Sequence, residues 1–193
     1  MSTAPLISVV IATRNRPELL HNAISGVTSQ TYSGPIECLI VFDQEDPDYG
    51  VVSDNALRRV TVLSNTERTP GLAGARNTGI LSAHGEFVAF CDDDDFWLPQ
   101  KLQRQLDTIG DALTSVTGIV VNYGNVEVER IPRQETFTLK NLVRHRLMEA
   151  HPSSVLMRRD ALLHLIGLVD EEIPRSYGED FDFIIRAMQA GPV

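Results

Sequence analysis

The sequence is short of positive charge. Its 193 residues carry 17 Lys and Arg against 26 Asp and Glu, a net charge of −9 with a pI near 5.0. That argues against nucleic acid or an anionic membrane as the main partner. An anionic small molecule stays admissible, because a bound cation reverses the local field. Cysteine is scarce as well. The only two, Cys38 and Cys91, each lie in an apolar run. This excludes a disulfide framework and any Cys/His zinc spacing, and it fits small core residues in a reducing, cytoplasmic compartment. No apolar run reaches the roughly 20 residues of a membrane span. Met1 to Leu6 lacks a basic stretch followed by an apolar one, so no signal peptide is visible. The common phosphate loops are missing too. There is no Gly-x-x-x-x-Gly-Lys-Ser/Thr segment, and Gly71-Leu72-Ala73-Gly74-Ala75-Arg76 is not the dinucleotide fingerprint. Neither an internal repeat nor a low-complexity stretch occurs.

What is present suffices for one globular domain over residues 1–193, with 42% hydrophobic residues to fill a core. Ile7 to Ala12, Cys38 to Phe42, Val60 to Leu63 and Glu86 to Cys91 are short apolar or β-branched runs that predict buried strands. Between them, helical spacing predicts helices from Pro17 to about Ser29, from Ala73 to Ala83 and from Pro99 to about Ile109, with a weak one from Val51 to Leu57. Ile119 to Tyr123 and Val126 to Val128 predict a strand or hairpin, and Arg130 to Thr138 a loop. A late strand from Ser153 to Met157, a short helix from Asp160 to Leu165 and a last helix from Phe181 to Ala190 complete the reading. Strands alternating with helices predict an α/β fold, a mostly parallel sheet with helices on both faces. Gly191-Pro192-Val193 reads as a turn toward a further strand, so the expectation is a chain truncated at its C-terminus.

Asp92, Asp93, Asp94 and Asp95 stand in a row directly after the apolar run ending at Cys91. Four adjacent carboxylates repel one another, and burying them without compensation costs several kcal/mol by general estimates of about that size. A divalent ion with oxygen ligands, Mg²⁺ or Mn²⁺, is the natural compensation. A solvated turn or helix cap is the alternative, though a cap needs one Asp only. Two other polar sets follow predicted strands: Thr13-Arg14-Asn15-Arg16 after the first and Asp43-Gln44-Glu45-Asp46 after the second. In a doubly wound sheet such strand ends share one edge. A carboxylate that accepts from a base N–H, arginines that pair with phosphate and a metal-binding acid cluster together describe a nucleoside-diphosphate site. Taken singly, Asp43 is more often a turn residue and the two arginines more often surface charge, while the glycines of 71–74 serve equally as a plain loop entering a helix.

Five segments resemble glycosyltransferase family 2. They are Ser8 to Pro17, Ser29-Gln30-Thr31-Tyr32, Gly74 to Ile80, Asp92 to Pro99, and Gly178-Glu179-Asp180-Phe181-Asp182. Their order and spacing span nearly the whole chain. The resemblance implies a GT-A (Rossmann-like) fold and an inverting, metal-dependent transfer of a sugar from a nucleotide donor. It makes Asp180 the catalytic base, Asp94 the ligand of Mg²⁺ or Mn²⁺, and Thr13, Arg14, Asp43, Arg76, Asp92 and Asp93 donor-binding residues, with Asp43 on the base and Asp92 by the ribose. Trp97, His151 and Glu179 fall on the acceptor side. Two departures stand out: Phe42-Asp43-Gln44-Glu45 replaces the family's frequent Asp-Asp-Gly-Ser, and Arg14 stands where Tyr is common.

The resemblance implies a UDP-, dTDP- or GDP-linked sugar as donor and a glycan, lipid-linked or small-molecule acceptor, with peripheral membrane association open to the full-length protein. On the residues alone, Glu179-Asp180 serves equally as acidic charge at a helix N-terminus, and a lone histidine such as His151 is more often structural. Two other classes compete. Metal-dependent nucleotidyl or phosphoryl transfer also uses Asp clusters on α/β sheets, but expects glycine in the first turn, which Thr13-Arg14-Asn15-Arg16 lacks. A non-catalytic nucleotide-sugar-binding domain is the other.

Overall fold

The computed structural model describes residues 4–145, 147–174 and 177–193. The β-branched run after Leu6 forms β1 (Ile7–Thr13), and Pro17 at the first helical position opens α1 (Pro17–Thr28). β2 (Ile36–Phe42), β3 (Ser53–Asn55) and β4 (Arg58–Ser64) follow, then α2 (Leu72–Ser82) and β5 (Phe87–Phe90). The second half holds α3 (Lys101–Ile109), β6 (Thr114–Val116), the hairpin β7 (Ile119–Asn122) and β8 (Glu127–Arg130), α4 (Leu139–His145) and β9 (Val155–Arg158). The short α5 (Arg159–Ala161) runs on as a π turn, Leu162–Ile166, and α6 (Glu179–Ala190) closes the fold.

Seven strands form one sheet in the order β3-β4-β2-β1-β5-β9-β6. β4, β2, β1 and β5 are mutually parallel, while β3 and β9 run antiparallel to their neighbours β4 and β5. β1 is central. Its alternate side chains feed two cores, as expected for a sheet covered on both faces. Ile7, Val9 and Ile11 pack with Leu20, Ala23, Val27 and Leu102 from α1 and α3. Val10 packs on the other face with Ala75, Ile80, Phe183 and Ala187 from α2 and α6. Gly79 permits the close seat of α2 on β1, since a Cβ there would lie 2.3 Å from Val10 Cγ1.

The chain leaves β1 through α1 to β2 on one side, and later returns through α2 to β5 on the other. The carboxyl ends of β1 and β5 therefore flank a topological switch point, where open sheets hold ligands.

One expectation needs correction, and two elements were not foreseen. Val51 to Leu57 is no helix: a 3₁₀ turn (Tyr49–Val51) leads into β3, which folds back on β4. The cause is Asn55, whose Oδ1 accepts the N–H of Leu57 at 2.9 Å and of Arg58 at 3.1 Å and so reverses the chain. β6 is too short to leave a periodic signal. After the expected loop, α4 forms with only Leu142 buried, so its apolar pattern in sequence is thin. The smaller shifts are at boundaries: α3 begins at Lys101, and Ser153-Ser154 belong to a 3₁₀ turn before β9.

Candidate active site

A cavity of about 420 Å³ opens at the carboxyl ends of β1, β2 and β5. Thr13, Arg14, Arg16, Asp43, Asp92, Asp93 and Asp94 line it, together with Ala12, Gly71, Leu72 and Ala75. The three polar sets that follow β1, β2 and β5 thus meet on one edge. Two residues just past these strands, Asn15 and Gln44, both have φ of 55°. A left-handed backbone is uncommon outside glycine and tends to persist where function requires it. Here it turns the chain sharply off each strand. The N–H of Asn15 then donates to Glu45 Oε2 at 2.8 Å and ties the two strand ends together.

Asp43 sits in a nest of donors. It accepts from Asn65 Nδ2, Gln44 Nε2 and the Gly71 N–H. Burial is the largest single influence on its carboxyl and acts to raise the pKa. These hydrogen bonds and the charge of Arg14 outweigh it and hold the group below the usual carboxylate range. Asn65 lies directly after β4, a polar residue at a fourth strand end, and that position was the sequence signal for it. Gly74 and Gly79 serve the protein's own packing. A Cβ on Gly74 would sit 2.0 Å from the Thr69 carbonyl oxygen.

The loop that carries Gly71 is itself anchored. Glu171 accepts from Arg68 at 2.6 Å, from the Thr69 N–H at 3.0 Å and from Asn77 Nδ2 at 2.7 Å. Although burial opposes ionisation, these bonds pull its pKa down to about 2. No motif in the sequence marks Glu171.

The four aspartates separate into different roles. Asp93 is buried, accepts from Thr13 Oγ1 at 2.8 Å and pairs with Arg16 Nη1 at 3.0 Å. The same Arg16 nitrogen holds Asp94, which is half-exposed, at 2.9 Å. Asp92 pairs with Arg76 at 2.7 Å and faces His151 Nε2 at 3.7 Å. Asp95 faces His151 Nδ1 at 3.6 Å. The protein therefore supplies much of the cationic compensation itself, through Arg16 and Arg76. For Asp92, burial pushes upward most strongly but Arg76, His151 and Arg16 prevail and lower the pKa. Burial instead wins at Asp95, reinforced by the charges of Asp92 and Asp94, and its pKa is raised.

Among the described residues, Asp92, Asp95 and His151 are the group able to hold a metal, with one ligand atom from each lying within 4.8 Å of the others. Two carboxylates and an imidazole fit a divalent ion, and the nitrogen ligand suits Mn²⁺ better than Mg²⁺. The contact of the acid run with His151 was not legible in advance, because His151 reaches the cluster from a 3₁₀ turn far along the chain, which it caps by accepting the Ser153 N–H at 3.3 Å.

Other expected residues fall elsewhere. Arg76 is 4% exposed and lines no part of the cavity; it spans Asp92 and Glu179. Trp97 is 3% exposed, turned into the core beneath Lys101, whose Nζ lies 4.0 Å from the ring centroid. The reason is apolar: its ring joins the core of β1, α1 and α3. Glu179 is buried, and Asp180 is half-buried in the first turn of α6, with Oδ1 accepting the Phe181 N–H at 2.8 Å.

Comparison with known proteins gives three findings. Residues 8–166 match the model of the family described as Glycosyl transferase family 2. The UDP-Glc:alpha-D-GlcNAc-diphosphoundecaprenol beta-1,3-glucosyltransferase WfgD of Escherichia coli is 32% identical over 123 residues, 64% of this chain and 46% of that protein. An uncharacterized glycosyltransferase of Methanocaldococcus jannaschii is 29% identical across 95% of this chain and 65% of its own length. The chain thus spans about half to two thirds of these curated relatives. Among solved structures, S. aureus TarS 1-349 in complex with UDP-GlcNAc superposes with a TM-score of 0.74 at 20% identity, over 95% of this chain and 53% of that one. A Pyrobaculum calidifontis mannosyltransferase in complex with GDP-Man and Mn²⁺ gives a TM-score of 0.59 at 21% identity, over 92% of this chain and 50% of that one. These likenesses place the fold in the GT-A class.

Proposed function

Because this chain belongs to glycosyl transferase family 2, we propose that it moves a sugar from a nucleoside-diphosphate sugar to a hydroxyl acceptor. One observation carries the reading: a single cavity at the switch point is lined by a hydrogen-bonded carboxylate, two arginines and the acidic run. Asp43, held ionised, accepts an N–H from the nucleobase. Arg14 and Arg16 offer guanidinium groups to the diphosphate. UDP is the proposed nucleotide, supported by the UDP-glucose donor named for the E. coli relative.

Asp92, Asp95 and His151 would hold a divalent ion, with Asp94 as a fourth candidate ligand. Such an ion, when bound, supplies Lewis-acid stabilisation of the leaving diphosphate. The chain's own residues do the rest. Arg14 and Arg16 take up negative charge as the bond from the anomeric carbon to the diphosphate oxygen breaks. Asp180 removes the proton from the acceptor hydroxyl, whose oxygen attacks the opposite face of the sugar. One in-line displacement inverts the anomeric centre.

A lipid-linked acceptor is the proposed class, supported by the diphosphoundecaprenol substrate named for the same relative. No described helix is long and apolar enough to cross a membrane; a lipid-linked acceptor would bring the catalytic domain to the membrane surface.

The test is nucleotide release. The protein is incubated with Mn²⁺ and UDP-glucose, UDP-GlcNAc, dTDP- or GDP-sugars, with and without a polyprenyl-diphosphate-GlcNAc acceptor. Release of nucleoside diphosphate, accelerated by acceptor, supports the proposal. Pyrophosphate from a nucleoside triphosphate and a sugar phosphate would point to nucleotidyl transfer. Binding of UDP with no turnover under any condition would leave a binding domain and overturn it.

A further inference from the structure

Arg76 occupies an unusual place for a charge. It lies on α2, whose neighbouring residue Ala75 lines the cavity, yet its own side chain is buried behind the wall. One end of its fork, Nη2, donates to Asp92 Oδ1 at 2.7 Å. The other, Nη1, donates to Glu179 Oε1 at 3.0 Å. Burial is the strongest influence on the guanidinium and acts to discharge it. The charges of Asp92, Glu179 and Asp180 together more than reverse that, so the cation is fixed.

The two anchors belong to different parts of the site. Asp92 follows β5 and faces the cavity and His151. Glu179 is the first residue of α6 and precedes Asp180. That helix begins abruptly at Gly178, with φ of 98°, and Glu179, 3% exposed, is its inward-facing start. A buried cation that pairs with both acids fixes their separation, because losing either contact strands a charge away from water.

The geometry points to Arg76 as a positioning residue. It sets the first turn of α6, and with it Asp180, against Asp92 at the donor end, and it relays occupancy of the donor cavity to that helix. It touches neither donor nor acceptor. The inference rests on the proposed roles of the cavity and of Asp180.

Arg76→Lys keeps the charge but replaces a planar fork with a single ammonium, which cannot hold two acids in the same geometry. UDP affinity with Mn²⁺, measured by calorimetry, should stay within about threefold of wild type, while transfer kcat falls by about 10- to 100-fold at nearly constant donor KM. Hydrogen exchange supplies a readout independent of catalysis. In wild type, UDP should slow amide exchange in residues 179–183; in Arg76→Lys that response should vanish. Glu179→Gln, which leaves the Arg76–Asp92 pair intact, should do the same, and it decides the matter if the lysine variant does not fold.

A ligand-free arm separates this idea from the proposed function. Asp92→Asn should speed exchange at residues 179–183 in wild type but add nothing in the Glu179→Gln background. A wild type that neither binds nor turns over a nucleotide sugar defeats the functional reading, and the ligand-free arm still judges the link. Loss of UDP affinity beyond about tenfold in Arg76→Lys, with the α6 response preserved, makes Arg76 a donor contact and overturns the inference. So does an unchanged kcat, or α6 exchange indifferent to Asp92→Asn.

Discussion

Asp43 receives the backbone N–H of Gly71 on both of its carboxylate oxygens, each at 3.1 Å. Only glycine adopts the required backbone readily, with φ at 126°. The end of β2 and the entry to α2 are thereby joined through one carboxylate, and its orientation in the cavity is fixed before any nucleotide arrives.

Asp43→Asn follows from that contact. The amide loses the charge-assisted acceptor and presents its own N–H to donors already in place. UDP affinity should fall about tenfold, the equivalent of roughly 1–2 kcal/mol, as measured by calorimetry. The folded carboxyl titrates below its unfolded value, so its contribution to stability is present above about pH 4 and disappears as pH falls through the folded pKa. Melting curves should show wild type ahead of the variant at pH 6 and the gap closing toward pH 3. Equal affinity and parallel curves would reduce Asp43 to a turn residue.

Arg16→Gln should change two affinities in opposite directions. Arg16 holds Asp93 and Asp94 through one nitrogen and also lines the cavity. Removing its charge leaves the acid run more negative, so Mn²⁺ alone should bind more tightly by about two- to fivefold. UDP, which loses a guanidinium, should bind more weakly by a similar or larger factor. Separate titrations with Mn²⁺ and with UDP decide the point, and a change of the same sign in both contradicts it.

Asp180→Asn should divide binding from chemistry. The amide keeps the shape of the helix start and cannot take a proton at neutral pH. Donor affinity should stay within a few-fold while sugar transfer falls by about 10² to 10⁴. If Asp180 merely complements the helix dipole, the variant melts slightly earlier, by an amount equivalent to about 0.3–1 kcal/mol, and transfers sugar almost normally. Rate and melting temperature on one preparation distinguish the two.

Lys101 makes stability depend on alkaline pH. It is buried, donates to Gln105 Oε1 at 2.7 Å and lies over Trp97. Burial lowers its pKa to about 7, with Cys91 the one titratable neighbour pulling the other way. The unfolded chain thus binds an extra proton between about pH 7 and the ordinary lysine value near 10.4, and stability gains with pH across that window. Lys101→Met removes the effect. Its melting temperature should gain most on wild type below pH 7, and the difference should narrow toward pH 10. Burial pushes the Cys38 and Cys91 thiols up, and their contribution is similar in both proteins and largely cancels; curves that stay parallel from pH 6 to 10 refute the assignment.

The strands and helices that build the switch point were legible because they are strongly patterned. β1, β2 and β5 are apolar runs ending in polar residues, and that pattern alone brought Thr13, Asp43 and Asp92 to one edge. What stayed hidden lies in long-range pairing. Nothing local tells Arg76 to turn from the cavity toward Glu179, or places His151 beside Asp92 and Asp95. The resemblance put Trp97 on the acceptor side, yet its ring is core. The inference from four adjacent acids to a metal also passed over the arginines, since Arg16 and Arg76 are neighbours of the run only after folding.

The central place of β1 has a consequence for how this protein is made. Its pairing with β2 joins segments close in sequence, but its other edge waits for β5, where Ile7 meets Phe87. At synthesis rates of about 5–20 residues per second, roughly 2 to 10 s separate the emergence of Phe42 from that of Phe90. For that interval a largely apolar strand presents an open edge, the kind of surface that recruits chaperones or another nascent chain. Substitutions that weaken β5 or delay its docking should therefore lower soluble yield more than they lower the melting temperature of the protein that does fold.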